Sequence, residues 1–138
     1  MKLKWRVAAF GAAVLLSSCS RAVLSDGVYR GKSSADDMGA YGEITLTVTG
    51  GNIAACDFVT WQKDGTVKGE DYGKVNGEIT NRDFYEKAQL AVRAMKRYAE
   101  QYEETRDLNA IDAVSGATIA YNQFLEAAEE ALESARSP

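Results

Sequence analysis

The chain has no histidine, only two cysteines (Cys19 and Cys56), and no apolar run long enough to cross a bilayer comfortably. Without histidine, and with the cysteines far apart, no zinc or haem ligand set can be assembled. The lack of an imidazole also leaves every serine and threonine hydroxyl without the commonest activating base, and the sequence offers no convincing acid–base pair in its place. Positive charge is the other shortage, with 16 basic residues against 20 acidic ones. Three of the cations, Lys2, Lys4 and Arg6, cluster ahead of the longest apolar stretch, Val7 to Leu16.

That stretch ends in Leu16-Ser17-Ser18-Cys19, and the order of basic region, apolar region, small residues and cysteine resembles a bacterial lipobox. The resemblance implies cleavage before Cys19 and acylation of its thiol, with several acyl chains giving stable anchoring. The alternative is an ordinary secretory leader whose cysteine is incidental. The expected organisation is a signal peptide over 1–18, a lipidated tether over 19–25 and one domain over 26–138. The expected location is the cell envelope, lipid-anchored to the membrane on the extracytoplasmic side. Ser20 follows the cysteine, so no acidic residue stands there as a retention signal. Removing Lys2, Lys4 and Arg6 leaves 13 basic residues against 20 acidic, about −7, which argues against a nucleic-acid partner. With Cys19 acylated, Cys56 has no disulfide partner, and in its apolar strand it reads as a small buried hydrophobe.

Asp26-Gly27 opens a strand over Val28–Lys32. Ile44, Leu46 and Val48 alternate with Thr45, Thr47 and Thr49, the period of a half-buried strand. Gly50-Gly51-Asn52 is a turn, and Ile53 to Gln62 returns as a third strand. Residues 69–80 are rich in Gly, Asp and Asn and predict a loop. A helix follows Asn81 or Arg82 to about Tyr102, with Phe84, Ala88, Ala91, Val92, Met95, Tyr98, Ala99 and Tyr102 as its apolar stripe. A last helix carries Phe124, Ala127, Ala128, Ala131, Leu132 and Ala135 on one side. The fold class is α+β: an antiparallel sheet of three to five strands packed against two main helices.

Just ahead of that last helix stands Asp112-Ala113-Val114-Ser115-Gly116-Ala117-Thr118. Ser115 is expected to cap the helix, placing Thr118 in its first turn. There the backbone N–H groups lack partners and a phosphate is well placed. Gly116 and Ala117 leave the backbone open to close approach. The seven residues resemble the flavinylation motif D-x-x-S/T-G-A-T of the FMN-binding domain family. Asp26-Gly27-Val28-Tyr29-Arg30-Gly31 is similar to that family's D-G-x-Y-x-G opening, and Tyr41-Gly42 before an alternating strand fits it too. The resemblance implies that a flavin transferase joins FMN to Thr118 through a phosphoester, with FAD and a divalent metal belonging to the transferase. Asp112 then serves that enzyme's recognition or orders the loop; a solvated loop carboxylate is the equal alternative.

The isoalloxazine ring requires apolar or aromatic walls, and the candidates are Tyr41, Trp61, Tyr72, Leu108, Ile111, Val114 and Tyr121, any of which could instead complete a small core. Lys63, Lys68 and Lys74, among Asp64, Glu70 and Asp71, could steer a charged partner or form a solvated surface. The resemblance implies a membrane-anchored electron carrier between a membrane donor and an unknown acceptor. The alternatives are a non-redox surface lipoprotein and a flavin-dependent reductase of a small substrate.

Overall fold

The computed structural model describes residues 23–136. The leader, Cys19 and the last two residues lie outside the described residues. Strands β1 (Gly27–Lys32), β2 (Tyr41–Thr49) and β3 (Asn52–Trp61) form one antiparallel sheet in the order β1-β2-β3. Helix α1 (Arg82–Thr105), a short 3-10 turn over Leu108–Ala110 and helix α2 (Thr118–Arg136) complete the chain. The expected α+β arrangement holds, with the strand count at three.

The alternation in β2 sets the layering. Gly42, Ile44, Leu46 and Val48 are buried while Tyr41, Glu43, Thr45 and Thr47 are only partly covered, so one face of the sheet carries the core. Register then fixes the neighbours: Tyr29 lies opposite Leu46 and Gly31 opposite Ile44, and Phe58 and Cys56 lie opposite Ile44 and Leu46. Gly50 and Gly51 close the β2–β3 hairpin, both at positive φ, as a two-residue turn of the primed type requires. Helix α2 packs across β1 and β2, and α1 along β3. Alanine dominates the buried face of α2, with Ala127, Ala128, Ala131 and Ala135 fully covered, which lets the helix sit close to the strands.

Phe124 is the hub of this core. It is 0% exposed, and its ring centroid stands 5.0 Å from Phe58, 6.0 Å from Tyr102 and 6.1 Å from Tyr98. Replacing Phe124 with alanine is expected to cost about 3 kcal/mol or more, from lost burial plus the void left among three rings. The difference in urea unfolding free energy measures it. A loss under about 1 kcal/mol would mean that this face of α2 is not core.

Both edge strands are capped by helix carboxylates. The Lys32 and Ser34 amides donate to Glu130 and Glu126 on α2, at 3.0 and 2.9 Å. The Cys56 amide donates to Glu103 on α1 at 2.7 Å. These contacts occupy donors that would otherwise template strand addition. Cys56 itself is buried, and burial, reinforced by the Glu103 and Asp57 charges, pushes its thiol up to about 12. It therefore stays protonated and behaves as the small hydrophobe that its strand suggested.

One expectation fails in α1. Phe84 belongs to the apolar stripe by spacing, yet it is 52% exposed. It occupies the first turn of the helix and faces a cavity instead of the packed core. The capping residue is Asn81, whose side chain accepts from the Phe84 amide at 3.1 Å.

Candidate functional site

The segment before α2 is built around a turn. The Ala117 amide donates to the Val114 carbonyl at 3.0 Å, with Ser115 and Gly116 at the central positions. Gly116 has φ +85°, the left-handed value that the third residue of a type II turn needs and that glycine adopts without strain. The Ala117 carbonyl then accepts from the Tyr121 amide at 3.0 Å, the first bond of the helix. Ala117, not Ser115, is thus the residue that flanks α2, and the capping role expected of Ser115 is corrected. The turn absorbs two residues, leaving Ser115 exposed in it and Thr118 at the first helical position.

Tyr98 on α1 holds this turn from beneath. Its hydroxyl accepts from the Val114 amide at 2.9 Å and donates to the Ala117 carbonyl at 3.3 Å. Burial raises the phenol above its ordinary range, so it remains a donor at neutral pH. Gln101, also buried, accepts from the Asp112 amide at 2.9 Å. The loop is therefore ordered by its backbone. The Asp112 side chain is exposed and makes no hydrogen bond among the described residues.

In front of Thr118 lies a cavity of about 720 Å³. Gly116, Ala117, Thr118, Ile119 and Ala120 form one wall; Phe84, Lys87, Ala88, Ala91 and Met95 of α1 form another. Thr60, Gln62, Lys63, Asp64, Lys68 and Tyr72 close the sheet side, and Asp36, Met38, Ala40 and Gln123 the remaining edge. The walls combine apolar side chains with polar and charged ones, and the volume is within the usual small-molecule range of roughly 300–1,000 Å³.

Two further glutamines position the loops around it. The Gln89 amide group donates to the carbonyls of Gly69 and Tyr72, at 3.1 and 2.9 Å, and so carries Tyr72 to the cavity from α1. Gln123, 5% exposed, donates to the Ala40 carbonyl at 2.9 Å. Gln89, Gln101 and Gln123 were missed in the sequence, and Tyr98 was read there only as part of the apolar stripe of α1. The available signal was amide side chains interrupting otherwise apolar helix faces, where an unbonded amide would be costly.

Of the sequence candidates, Gly116, Ala117, Thr118 and Tyr72 come together at the cavity. Tyr41 and Trp61 do not line it; they pair across β2 and β3 on the face of the sheet away from the helices. Val114, Leu108 and Tyr121 pack against the core, and Ile111 is within it. Tyr121 stacks edge-on against Tyr98 at 5.5 Å and donates to the Ile111 carbonyl. The backbone around Thr118 runs in the right direction for an anion. The amides of Thr118, Ile119 and Ala120 precede the first helical bond and have no partner among the described residues, and all three residues line the cavity.

A sequence profile of the FMN-binding domain matches residues 39–133. The chain belongs to the FMN-binding domain family. Membership makes it a flavin-binding protein with FMN as cofactor. The match begins at Gly39, so the opening over Asp26–Gly31 lies outside it. Among solved structures, a crystal structure of a protein from Clostridium perfringens is 22% identical, with a TM-score of 0.63, over 81% of this chain and 88% of that one. A solution structure of a protein from Clostridium thermocellum is 26% identical over 80% of this chain and 91% of that one, with a TM-score of 0.45. No curated protein matches.

The residues present fit FMN. The partnerless amides at the start of α2 suit a phosphate. A hydroxyl stands beside them, and the adjoining cavity offers Phe84, Ala88, Ala91 and Met95 of α1 as apolar surface, with Tyr72 opposite. A side chain at Gly116 would meet Leu90 and could not take φ +85° without strain, so the approach to the backbone depends on that glycine.

Proposed function

We propose that this FMN-binding domain protein relays electrons through FMN joined to Thr118 by a phosphoester, and that a lipid on Cys19 holds it to the membrane on the extracytoplasmic side. The observation that carries the reading is the position of Thr118. Its side chain is exposed at the first helical position of α2, beside the partnerless amides, and it lines the 720 Å³ cavity. Bound FMN supplies one- and two-electron chemistry. The residues of this chain bind and orient: the amides at the start of α2 face the phosphate, while Phe84, Met95 and Tyr72 offer surfaces to the ring.

Nothing near Thr118 activates its hydroxyl, since no histidine exists in the chain and the cavity carboxylates are bonded to their own loops. The reaction therefore belongs to a separate flavin transferase. There the Thr118 Oγ1–phosphorus bond forms, a phosphoanhydride bond of FAD breaks, AMP leaves and the hydroxyl proton passes to the transferase. Covalent attachment suits a protein outside the cytoplasm, where lost FMN could not be replaced. The lipid anchor in the bilayer keeps the carrier near a membrane electron donor, from which it serves an acceptor.

Co-expression with an active transferase and FAD tests the reading. The intact protein should gain the mass of FMN less water, mapped to the peptide containing Thr118. An unmodified Thr118 under those conditions returns the surface-lipoprotein alternative. Turnover of a small substrate by the loaded protein alone would mark it as a reductase rather than a carrier.

The anchor has its own test. Cys19→Ser should abolish acylation, so that the protein no longer partitions into detergent. Unchanged partitioning would refute the lipobox reading.

A further inference from the structure

The cavity beside Thr118 contains five formal charges, Asp36, Lys63, Asp64, Lys68 and Lys87, and the two signs are held differently. Asp36 accepts from the Met38 and Ala40 amides, both at 2.9 Å. Asp64 accepts from the Thr66 hydroxyl at 2.6 Å and the Thr66 amide at 3.0 Å. Both carboxylates are thus turned onto their own loops. The three lysines make no ion pair within 4 Å among the described residues. The lining thus carries three lysines against two carboxylates, a net charge of +1 in a chain whose net charge is −4.

The lysines differ in burial and fixation. Lys63 and Lys87 are exposed, whereas Lys68 is half-buried. Its backbone amide is tied to the Thr60 carbonyl of β3 at 2.8 Å. Its Nζ lies 4.9 Å from the centre of the Tyr72 ring, a cation–π contact that holds the ammonium in place. Tyr72 is in turn fixed through Gln89. Lys68 also lines a smaller cavity of about 360 Å³ between β3 and α1, so it stands in a wall rather than on open surface.

We propose that Lys68, held over Tyr72 in the cavity wall, raises the reduction potential of FMN bound at Thr118 by placing a fixed positive charge where reduction adds negative charge, with Lys63 and Lys87 contributing less. The inference rests on the reading of FMN at Thr118. Reduction by two electrons and one proton leaves one negative charge on the flavin ring; a reductant such as dithionite supplies the electrons, and no bond to the protein forms or breaks. A cation near the ring favours that state. The effect of the exposed lysines is screened by salt, and that of Lys68 much less so.

The experiment compares wild type, Lys68→Gln, Lys68→Arg and Lys63→Gln, each matured with transferase and FAD and checked by intact mass. Spectroelectrochemical titration reads the two-electron potential at low and high salt. Lys68→Gln should shift the reduced-to-oxidised equilibrium about tenfold toward oxidised, which is about 30 mV for a two-electron couple. The shift should persist in high salt, and Lys68→Arg should restore most of it. Lys63→Gln should shift less, and its shift should fade with salt. A Lys68→Gln potential equal to wild type, with the flavin mass present, overturns the proposal and leaves the FMN reading intact. So does a Lys68→Arg shift as large as that of Lys68→Gln, because a packing role would not distinguish charge. Absence of the flavin mass from wild type overturns the FMN reading, and this inference falls with it.

Discussion

Thr118→Val is expected to eliminate covalent flavin while leaving the domain folded. Valine keeps the shape of threonine and removes only the hydroxyl. The side chain is exposed, and its hydroxyl makes no hydrogen bond among the described residues. The folding free energy should therefore change by no more than about 0.5 kcal/mol. The mass shift of FMN less water should vanish completely, because no other hydroxyl lies at the start of α2 within the cavity lining. Thr118→Ser retains an oxygen at the same place and should still be modified to a measurable extent. Flavin on the Thr118→Val protein, after maturation with transferase and FAD, would move the attachment elsewhere and sink the proposed site.

The second large effect lies far from the cavity. Gly31→Ala should destabilise the domain by about 3 kcal/mol, at the upper end for overpacking. Gly31 sits on β1 opposite Ile44, under α2. A Cβ there would run into the Ala127 carbonyl and the Ala131 amide. These are backbone atoms of a helix seated on alanines, so no side-chain rotation can relieve the clash. The helix must lift, and with it Phe124 and its aromatic partners. Gly50→Ala is the contrast: nothing lies within 4 Å of the added carbon, and the cost is only that of a left-handed φ of +61°, about 1 kcal/mol. Urea unfolding of the two variants compares them directly. Equal, small losses would mean that α2 does not rest on Gly31.

The elements were legible because their signals are local. Threonines alternating with Ile44, Leu46 and Val48 state a strand and its buried face. Two glycines state the hairpin, and Ala127, Ala128, Ala131 and Ala135 state the inner side of α2. Phe84 misled because spacing along a helix gives direction but not what lies opposite; there it faces a cavity, not packed side chains. Ser115 misled because a serine three residues before a helical threonine suits either a cap or a turn. The choice was made by Gly116 at positive φ and by Tyr98 reaching up from α1.

By itself the sequence determined the antiparallel sheet with two helices and the family. These are properties of composition, period and short motifs, which need no knowledge of distant neighbours. Only the tertiary structure decided which side chains face Thr118. It brought Tyr72 and Lys68 from the loop after β3 and Phe84 and Met95 from α1, while turning Tyr41 and Trp61 away. The physical reason is that cavity walls are made by pairs of residues far apart in the chain. Their meeting depends on the register of β2 with β3 and on three glutamines that tie loops to helices, and neither leaves a periodic trace in the sequence.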